Sequence, residues 1–557
     1  MNTNPAHGLW PGPADATTIQ SVRAGRNAQP STHAVPERRF VRPVLSRRVG
    51  QPDEIGRYGP TSVKALGQAS GDAASPGPAR ARPRVLLITE GTYPYAVGGV
   101  SSWCHAVLTG LSETDWDVLP ILAGRKNQRP TVKLPPNTRL LRSIDLWSET
   151  HAPRRLHARR ATDHGLLPAQ LLRGLMPWEG DLEGLTAALV RCRQNPQSIR
   201  PEFRGRESWE RFVSELEQLL MDSHRDSAPA PIYDAIEAAR LYQALYWVAR
   251  TAAVPTPPCD VVHVTAAGWS GIPGIIHKAL YGTPLLLTEH GVYVREAYLA
   301  AVREAAARPG HGHISPRLAL GMTRAVYAAA DVIAPVTEAN AEWERGLGVD
   351  PAKIRVIPNG IDPPKDRTAP PNVNKVIAMG RLDPLKDVQT MLLVADEVLR
   401  RMPEATFECY GPPTLGQEMY AEACAVMHRQ LGLGDRFRFM GGTRDPHGAI
   451  RSGDLVLMTS ISEAMPMTLL EAMGQARPIV ATSVGGIPSV ISGCGLVAPP
   501  GDVHELATAV VTVLRNPDLG ARLGRRGYER VHRKYTLSRC LGAYDGLIRE
   551  LAGTVAA

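Results

Sequence analysis

Two glutamates, Glu463 and Glu471, stand eight positions apart in the segment SEAMPMTLLEAM. Pro466 lies between them and suits the first turn of a helix, so we expect Glu463 in the entering loop and Glu471 in the second turn. The exposed backbone N–H groups of Met467 and Thr468 would then lie between two carboxylates. Amides at a helix start bind phosphate, and carboxylates accept hydrogen bonds from hydroxyl groups. The segment therefore predicts a site for a phosphorylated polyol, although glutamates near a helix start are also common without a ligand.

Two cations follow another predicted strand. Arg381 and Lys386 lie five positions apart in GRLDPLKD, directly after the apolar run KVIAM. A guanidinium binds two oxygens at once and an ammonium acts as a point charge, so the pair could neutralise a diphosphate. Solvated basic residues in such a loop are the structural alternative. Because these cations and the two glutamates fall in the same half of the chain, one ligand could contact all four.

The first half of the chain supplies two more candidates. Gly98 and Gly99 open a helical pattern, where missing side chains let backbone N–H groups approach a phosphate or a sugar; a tight turn is the alternative. His290, in TEHGVYVREAYL, directly follows a predicted buried strand. A lone histidine is usually structural, but a histidine at a strand end that faces a cleft is a candidate for binding or catalysis.

Several other signatures are absent from the sequence. It contains neither the dinucleotide motif G-x-G-x-x-G nor the phosphate loop G-x-x-x-x-G-K-[ST]. The D-x-D of Asp115 and Asp117 begins a predicted strand rather than ending one, so we regard it as accidental and predict no obligatory metal. The seven cysteines are scattered and form no C-x-x-C, which indicates a reducing cytoplasm rather than a disulfide framework or a zinc site.

Short apolar runs that could form buried strands alternate with helical patterns and must position these residues. In the first half we predict strands at RVLLIT, WDVLPI, DVVHVTA, PLLLTE, DVIAPV and IRVIPN, and in the second half at KVIAMG, ATFECYG, RFRFMG, DLVLMTS, RPIVATS and GLVAP. This alternation predicts two α/β domains with doubly wound parallel sheets. Ligands of such sheets bind outside the carboxyl ends of the strands, so we expect a cleft between two Rossmann-like domains.

The chain divides into four predicted regions. Residues 1–80 are rich in Pro, Gly, Ala, Ser and Arg and read as a disordered basic tail. Residues 81–365 form the first Rossmann-like domain, in which the strands stop over a helical insertion at about 141–254. Residues 366–535, after a proline-rich linker, form the second Rossmann-like domain, and 536–557 form a C-terminal helix that crosses back to the first.

The net charge of +9 is unevenly distributed, since residues 1–80 hold ten Arg/Lys against five Asp/Glu. The remaining excess fits a polyanion, an anionic membrane surface or a negatively charged small substrate, and selects none of them. A nucleic-acid partner would rest on net charge alone, so we predict none. No apolar run is long enough to span a bilayer or to act as a signal peptide.

Five motifs in order resemble those of the retaining glycosyltransferases of family 4, which have the two-domain GT-B fold. They are Gly98-Gly99, TEHG at 288–291, PNGID at 358–362, GRLDPLKD at 380–387 and the E-x₇-E of SEAMPMTLLEAM. The start LLITEGTYPYAVGGVSSWCH, the helical insertion and LTEHGVYVREAYL resemble, more narrowly, the glycosyltransferases of Pel exopolysaccharide synthesis. The resemblance runs from about Arg84 to Leu551.

The resemblance implies a role for each candidate. Catalytic roles fall on Arg381 and Lys386, which would hold the donor's diphosphate and stabilise the leaving group, on Glu463, which would bind the transferred sugar, and on His290, which would face the reacting carbon. Substrate-binding roles fall on Glu471 at the ribose, on the amides of Met467 and Thr468 at phosphate, and on Gly98 and Gly99 from the other domain. Where relatives often have G-x-G after the second strand of the second domain, this chain has YGPPT with only Gly411, which puts contacts near the base in question.

We therefore expect a cytoplasmic enzyme without a cofactor that moves a sugar from a nucleotide sugar, expected to be a UDP-sugar, onto a polysaccharide acceptor. The first domain would be the acceptor side and the second would bind the donor. Inner-membrane Pel synthase components would be partners, with peripheral location at the inner membrane. The alternatives are a nucleotide-sugar 2-epimerase of the same fold and a non-catalytic nucleotide-sugar-binding subunit, because fold does not determine function.

Overall fold

The computed structural model describes residues 82–91, 93–96, 98–122, 129–146, 165–176, 180–223, 235–307, 314–414 and 416–553. The predicted disordered tail, residues 1–80, lies outside the described residues. Residues Ala81–Ala557 belong to one compact unit. Two parallel sheets organise the described part of this unit, and helices cover both of them.

Seven strands form the first sheet in the described part of the chain. They are β1 (Arg84–Glu90), β2 (Asp115–Leu122), β3 (Thr138–Leu140), β4 (Ile144–Asp145), β5 (Val261–Val264), β6 (Leu285–Glu289) and β7 (Val332–Pro335). The order is β3-β2-β1-β5-β6-β7, with β4 also paired to β2, and every pairing is parallel. Strands β1, β5 and β6 are buried along almost their whole length and are mainly apolar, because both of their faces are covered.

The second sheet has six strands among the described residues. They are β8 (Lys375–Met379), β9 (Thr406–Tyr410), β10 (Phe437–Gly441), β11 (Leu455–Met458), β12 (Ile479–Thr482) and β13 (Gly495–Ala498). They run in the order β10-β9-β8-β11-β12-β13, again all parallel. In each sheet, therefore, successive strands are added first on one side and then on the other. The switch point lies between β1 and β5 in the first sheet and between β8 and β11 in the second. Loops that follow these four strands border the crevice in which doubly wound sheets bind ligands.

Eighteen α-helices are described. The first domain has α1 (Gly99–Gly110), α2 (Leu167–Leu175), α3 (Leu182–Gln194), α4 (Ile199–Glu202), α5 (Arg206–Ser223), α6 (Ala235–Ala252), α7 (Gly271–Tyr281), α8 (Tyr293–Ala307), α9 (Ile314–Ala329) and α10 (Glu338–Gly346). The remaining helices are α11 (Val388–Arg401), α12 (Glu418–Gln430), α13 (Pro446–Arg451), α14 (Met467–Gly474), α15 (Ile487–Ile491), α16 (Val503–Leu514), α17 (Pro517–Lys534) and α18 (Leu537–Leu551).

Helices α2 to α6 lie between β4 and β5 in the chain and pack on the first sheet. Their apolar side chains, such as Leu172, Phe212 and Leu245, share one core with Ile88 and Leu119 of the sheet. The helices are amphipathic, so the sheet gives their apolar faces a surface to cover. The insertion therefore belongs to the first domain's core.

The chain crosses between the two halves at two adjacent places. Ile361 accepts a backbone hydrogen bond from Leu537 and donates one to Tyr535, so the PNGID segment runs beside the start of α18. Gly360 is required there, because a Cβ would lie 2.5 Å from the carbonyl oxygen of Thr536. Helix α18 then packs on the first sheet, with Tyr544 fully buried.

Three details differ from the predicted elements. The strand predicted at IRVIPN is wrong: Ile354 makes only an isolated bridge to Ile333 of β7, and Pro358 soon ends any pairing because proline has no N–H to donate. The short edge strand β3 was not predicted, and β4 lies inside the region where strands were expected to stop. In the described part of the chain, no helix is long and apolar enough to cross a bilayer.

Candidate active site

An ion pair between Lys386 and Glu463 lies at the crevice of the second sheet. Lys386 ends a short 3₁₀ turn after β8, and Asp383 caps this turn through its carboxylate. The Lys386 ammonium donates to Glu463 Oε1, which also accepts a hydrogen bond of 2.8 Å from Ser460 Oγ. The two charged residues are 77 positions apart in sequence, but β8 and β11 are neighbours, so the loops that follow them meet.

Arg381 lies at the carboxyl end of β8 and its side chain is exposed. It borders a small pocket together with Lys386 and Ser460. Gly411 packs against the backbone beneath this loop: its φ is +144°, and a Cβ would lie 1.9 Å from the carbonyl oxygen of Gly380. The single glycine of YGPPT therefore lets two strand ends approach closely, and this approach sets the position of Arg381.

Helix α14 begins at Met467 and presents its first turn to the cleft. Pro466 is the N-cap residue, and no side chain caps the helix. A Cβ on Gly99 of the other domain would lie 3.6 Å from Met467 Cγ, so the start of α1 faces the start of α14. Gly98 is the N-cap of α1; its φ of 171° is an extended conformation open to any residue, and nothing lies within 4 Å of its missing Cβ. Its small size therefore leaves space and is not required by backbone strain.

Glu471 lies in the second turn of α14, as its spacing from Pro466 predicts. The side chain is half-buried, and this burial raises the pKa of the carboxyl group, an effect that His447 nearby opposes. Among the described residues, no side chain is recorded as a hydrogen-bond partner of the Glu471 carboxylate. Its oxygens therefore remain available to hydroxyl groups.

His290 follows β6 and faces the first domain's side of the cleft. Its ring meets the Trp103 ring edge-on, with centroids 4.6 Å apart. Burial lowers the pKa of His290 to about 3, so the imidazole is neutral near pH 7. Its Nε2 has no hydrogen-bond partner among the described residues. A neutral imidazole with one unused nitrogen can bind a hydroxyl group without adding charge to the cleft.

A buried aromatic cluster supports this histidine from below. Trp103 also contacts Tyr544 of α18 and His263 of β5, with ring centroids 5.2 and 5.7 Å away. Thr288 connects His263 to Tyr544: its hydroxyl lies 2.8 Å from His263 Nε2 and donates to the Tyr544 hydroxyl at 3.0 Å. The C-terminal helix therefore helps to hold the active-site end of β6.

Two charged residues that we did not select from the sequence lie beside the candidate site. Arg295, on the first turn of α8, donates from Nη2 to the Glu463 carbonyl oxygen at 3.3 Å and so connects the two domains. Burial raises the pKa of the Glu296 carboxyl group. The charge of Glu463 raises this pKa further, whereas those of Arg295 and Lys386 lower it. Both stand in VYVREAYL a few positions after His290, and proximity to that residue was the signal that could have identified them.

Glu289, directly before His290, is buried in the first domain and stabilises the fold instead of facing the cleft. It is fully buried and accepts a hydrogen bond of 2.6 Å from the Tyr327 hydroxyl, and its charge is coupled to that of the Glu344 carboxyl group. Burial raises the pKa of both carboxyl groups, that of Glu344 to about 10, because two adjacent charges cannot both be desolvated. The end of β6 is tied to α10 by the Asn340 side-chain amide, which donates to the Glu289 carbonyl oxygen at 3.4 Å.

Another carboxyl group lies at the carboxyl end of β1. Glu90 accepts a hydrogen bond from the backbone N–H of Ser270 and lies against Gly268, where a Cβ would come within 3.0 Å of it. Burial raises the pKa of Glu90 to about 7. Nothing in the spacing of the TEGTY motif indicated this environment, because Ser270 is 180 positions away.

The D-x-D begins β2, where Asp117 is buried and forms a bidentate pair with Arg139 at 2.6 and 2.7 Å. This pair joins β2 to β3 and has no connection to the cleft. Within the described ranges, no group of three His, Cys, Asp or Glu side chains could hold a metal ion.

The structure thus brings several of the selected residues together. Lys386 contacts Glu463, Arg381 borders the same pocket, and Gly99 faces Met467 across the cleft. No direct contact is recorded between His290 or Glu471 and the Lys386–Glu463 pair. The contact between the helix that follows His290 and the Glu463 loop is the hydrogen bond from Arg295.

Two Rossmann-like sheets with a ligand crevice at each switch point define the GT-B fold, and comparison with known proteins agrees. Residues 373–516 match the family model described as glycosyl transferases group 1, and residues 83–352 match a domain of unknown function, DUF3492. Over 85% of this chain, the fold is similar to that of sucrose-phosphate synthase from Thermosynechococcus elongatus, with 20% identity, 100% of that chain covered and a TM-score of 0.55. It is also similar to Anabaena HepE, solved with UDP and glucose, with 15% identity, 99% of that chain covered and a TM-score of 0.52.

Curated relatives point the same way. The chain is 28% identical over 291 residues to a D-inositol 3-phosphate glycosyltransferase of Kribbella flavida, which covers 48% of this chain and 66% of the relative. It is 28% identical over 310 residues to D-inositol 3-phosphate glycosyltransferase 2 of Catenulispora acidiphila, covering 51% and 70%. The match spans about two thirds of the length of these relatives. The chain therefore has the GT-B fold, residues 373–516 match the model of glycosyl transferases group 1, and the two relatives are named as glycosyltransferases.

Proposed function

We propose that this protein is a retaining glycosyltransferase that takes a sugar from a nucleotide sugar. The observation that carries the proposal is the Lys386–Glu463 ion pair, at the switch point of the second sheet and beside the uncapped first turn of α14. A cation, a carboxylate and free backbone amides at one place match the three parts of a sugar diphosphate: charge to neutralise, hydroxyls to bind and phosphate oxygens to contact.

In this proposal the donor lies along the crevice. Lys386 and Arg381 bind the diphosphate, helped by the backbone N–H groups of Met467 and Thr468. Glu471, whose carboxylate has no recorded partner among the described side chains, accepts hydrogen bonds from the ribose hydroxyls. Glu463 binds hydroxyls of the transferred sugar and releases Lys386 to the phosphate when the donor enters.

The chemical step breaks the bond between the anomeric carbon and the departing phosphate oxygen. The acceptor hydroxyl attacks that carbon on the same face, and its proton passes to the phosphate oxygen that leaves. Arg381 and Lys386 stabilise the negative charge that develops on the nucleoside diphosphate. His290 orients the sugar as a neutral hydrogen-bonding group, so it adds no positive charge beside an anomeric carbon that is itself becoming cationic.

We propose further that the reaction needs no resident metal, since the two cations can neutralise the diphosphate directly. The test is activity after exhaustive treatment with EDTA, compared with activity after Mg²⁺ is restored. Equal rates support the proposal, and strict dependence on added Mg²⁺ would overturn it.

We expect UDP as the nucleotide and a Pel-type exopolysaccharide as the product. The motif resemblance to PelF supports this assignment, and the UDP-bound state of the HepE neighbour is consistent with it. In this proposal the acceptor is the growing polysaccharide, the enzyme works in the cytoplasm at the inner membrane, and Pel synthase components there receive the chain.

The experiment is a donor screen with UDP-, GDP- and ADP-sugars, monitored as hydrolysis and as transfer, with Lys386→Ala and Arg381→Ala as test variants. Two exposed residues serve as matched controls, Lys365→Ala in the linker and Arg429→Ala on α12. Both test variants should lose donor binding and turnover while remaining folded, and both controls should retain them.

Other outcomes of the same screen decide against the proposal. Conversion of the donor into its 2-epimer without an acceptor, separated by chromatography, would identify an epimerase. Donor binding without hydrolysis or transfer would identify a binding subunit. Retention is tested by the anomeric configuration of the product in NMR, and an inverted product would refute it.

A further inference from the structure

Glu296 is a charged residue at the cleft to which the proposed mechanism gives no role. It lies in the first turn of α8, and no hydrogen bond or ion pair of its carboxylate is recorded among the described residues. The residue is accessible to solvent, yet protein groups surround it closely enough to raise the pKa of its carboxyl group. A glutamate on an open surface would keep its ordinary pKa. Glu296 therefore projects into the cleft and is open to a ligand there.

The start of α8 lies opposite the Glu463 loop of the second domain. Arg295, directly before Glu296, donates from Nη2 to the Glu463 carbonyl oxygen at 3.3 Å. The charges of Glu463, Asp383 and Lys386 all act on the pKa of Glu296, so these groups lie within electrostatic reach of its carboxylate. Glu296 and Glu463 thus approach the same part of the cleft from different domains.

The Glu296 carboxylate also lies over the loop that carries His290. A Cβ on Gly291 would overlap Oε1 of Glu296, and apart from this side chain and the residues next to Gly291 in the chain, nothing stands within 4 Å of that position. The φ of Gly291 lies outside the left-handed region, so its backbone does not require glycine. Gly291 instead leaves space for the carboxylate beside His290, whose Nε2 has no hydrogen-bond partner among the described residues.

The first turn of α8 is held firmly against the first domain. Val292 and Val294 are buried, at 0% and 2% exposure. The Tyr293 ring packs so closely on Gly268 that a Cβ there would lie 2.5 Å from ring atoms. Side chains that leave such a fixed element keep their positions, which favours selective binding over loose attraction.

We propose that Glu296 binds hydroxyl groups of the transferred sugar from the first domain, opposite Glu463, and so helps to select that sugar. This inference rests on the proposed function, in which His290 and Glu463 contact the same sugar. An ionised carboxylate only accepts hydrogen bonds, and the nucleotide's diphosphate, itself an anion, has none to donate. The hydroxyl groups of the sugar are the donors that a nucleotide sugar can offer to this carboxylate.

Such a contact discriminates between sugars that differ at one hydroxyl group. A site built to hydrogen-bond a hydroxyl rejects a sugar that lacks it or directs it elsewhere, because the polar group of the site then loses its partner. Glu463 alone would contact the sugar from one side. With Glu296 on the other side, donor choice depends on both domains.

The first experiment measures the affinities of UDP and of a UDP-sugar for the full-length protein by isothermal titration calorimetry, with no acceptor present. The UDP-sugar is whichever of UDP-glucose, UDP-galactose and UDP-N-acetylglucosamine binds the wild-type protein most tightly. Loss of a negative charge also affects diphosphate binding, so the quantity compared is the Kd of the UDP-sugar divided by the Kd of UDP in the same variant.

Glu296→Gln should raise this ratio about fivefold or more, because hydrogen bonds to a charged group are stronger than those to a neutral amide. Glu342→Gln removes an exposed carboxylate from α10 of the same domain and is the matched control, in which the ratio should stay unchanged. An unchanged ratio in Glu296→Gln, or an equal rise in the control, would overturn the inference.

The second experiment separates the position of the carboxylate from its charge. Glu296→Asp keeps the charge and retracts the oxygens, and Gly291→Ala pushes them aside, so both should raise the ratio. Gly291→Ala should add nothing further when it is combined with Glu296→Ala, since the group that it displaces is then gone. A normal ratio in Glu296→Asp, or a further rise in the double variant, would refute direct binding by a carboxylate at this place.

Other readouts distinguish failure of this inference from failure of the proposed function. Wild-type UDP affinity and its loss in Lys386→Ala test the donor site whatever Glu296 does. A normal ratio in Glu296→Gln together with slower sugar transfer would assign Glu296 to the acceptor, which overturns the inference and leaves the donor site in place. Circular dichroism verifies that each variant is folded.

Discussion

The exchange of Lys386 between Glu463 and phosphate leads to an unusual prediction about Glu463→Gln. In the free protein the Glu463 carboxylate competes with the donor for the Lys386 ammonium. Glutamine has nearly the same shape and still accepts a hydrogen bond from Ser460, but it removes the competing charge. Binding of UDP alone, which offers phosphates but no transferred sugar, should therefore become tighter.

The exposure of the two side chains sets the magnitude. Glu463 is 11% exposed and Lys386 29%, so the pair is only partly shielded from water. Pairs with this solvent access contribute about 0.2–1 kcal/mol. Release of Lys386 should then tighten UDP binding by about 1.5- to 5-fold. Turnover of the UDP-sugar should instead fall about tenfold or more, because a charged acceptor for the sugar hydroxyls is replaced by a neutral amide.

Isothermal titration calorimetry with UDP and steady-state turnover of the UDP-sugar measure the two effects. The matched control is Glu215→Gln, which removes one partner of the Arg173–Glu215 ion pair in the insertion, where the Glu215 side chain is 17% exposed. The control should change neither quantity. If Glu463→Gln weakens UDP binding threefold or more, Glu463 serves to orient Lys386 for the phosphate, and the exchange is refuted.

Three further predictions follow from individual environments. Gly411→Ala should lower the free energy of unfolding by about 2 kcal/mol or more, because the new Cβ would collide with a carbonyl oxygen. Gly432→Ala, at a φ of +65° with open space around it, should lower the free energy of unfolding by only about 1 kcal/mol. Equal losses for the two variants in denaturant titrations would contradict this prediction. Glu90 keeps its proton in the folded protein up to about pH 7 and releases it near pH 4.5 when unfolded, so its stabilising contribution is complete below pH 4.5 and is lost as pH rises through 7. Glu90→Gln should therefore flatten the decline in stability between about pH 5 and 8, and an unchanged profile would refute this assignment. The imidazole of His290 should stay neutral in NMR titrations from pH 8 down to 5, since its pKa is lowered to about 3; titration near 6.5 would show that it is solvated.

Protonation of His290 and His263 also links pH to stability. Burial lowers the pKa of both to about 3, so in the unfolded chain they bind protons near pH 6.5 and in the folded protein they do not. The folded state is therefore destabilised progressively as pH falls from about 6.5 toward 3. Both imidazoles pack against Trp103, so this loss of stability in acid acts at the end of β6 that borders the candidate site.

The strands of both sheets could be predicted because a strand buried on both faces needs an uninterrupted apolar run, and such runs are visible in RVLLIT, PLLLTE and DLVLMTS. Short edge strands such as β3 (Thr138–Leu140) and β4 (Ile144–Asp145) carry no such signal, since pairing on one side of a sheet stabilises them more than burial does. IRVIPN has the composition of a strand but lies beside β7 with one bridge only, since its proline limits pairing.

The chemistry of the candidate site could likewise be predicted from the sequence only in part. The groups that could bind a sugar diphosphate are recognisable before folding is considered, because Pro466 sets the start of α14 and residue type alone decides that Lys386 is a cation and Glu463 an acid. Which of these groups meet depends on how distant segments pack: the adjacency of β8 and β11 brings Lys386 to Glu463, and the packing of α8 brings Arg295 to the same loop. Such packing also makes His290 neutral, because a pKa depends on the surrounding dielectric and on neighbouring rings contributed by residues far away in the chain.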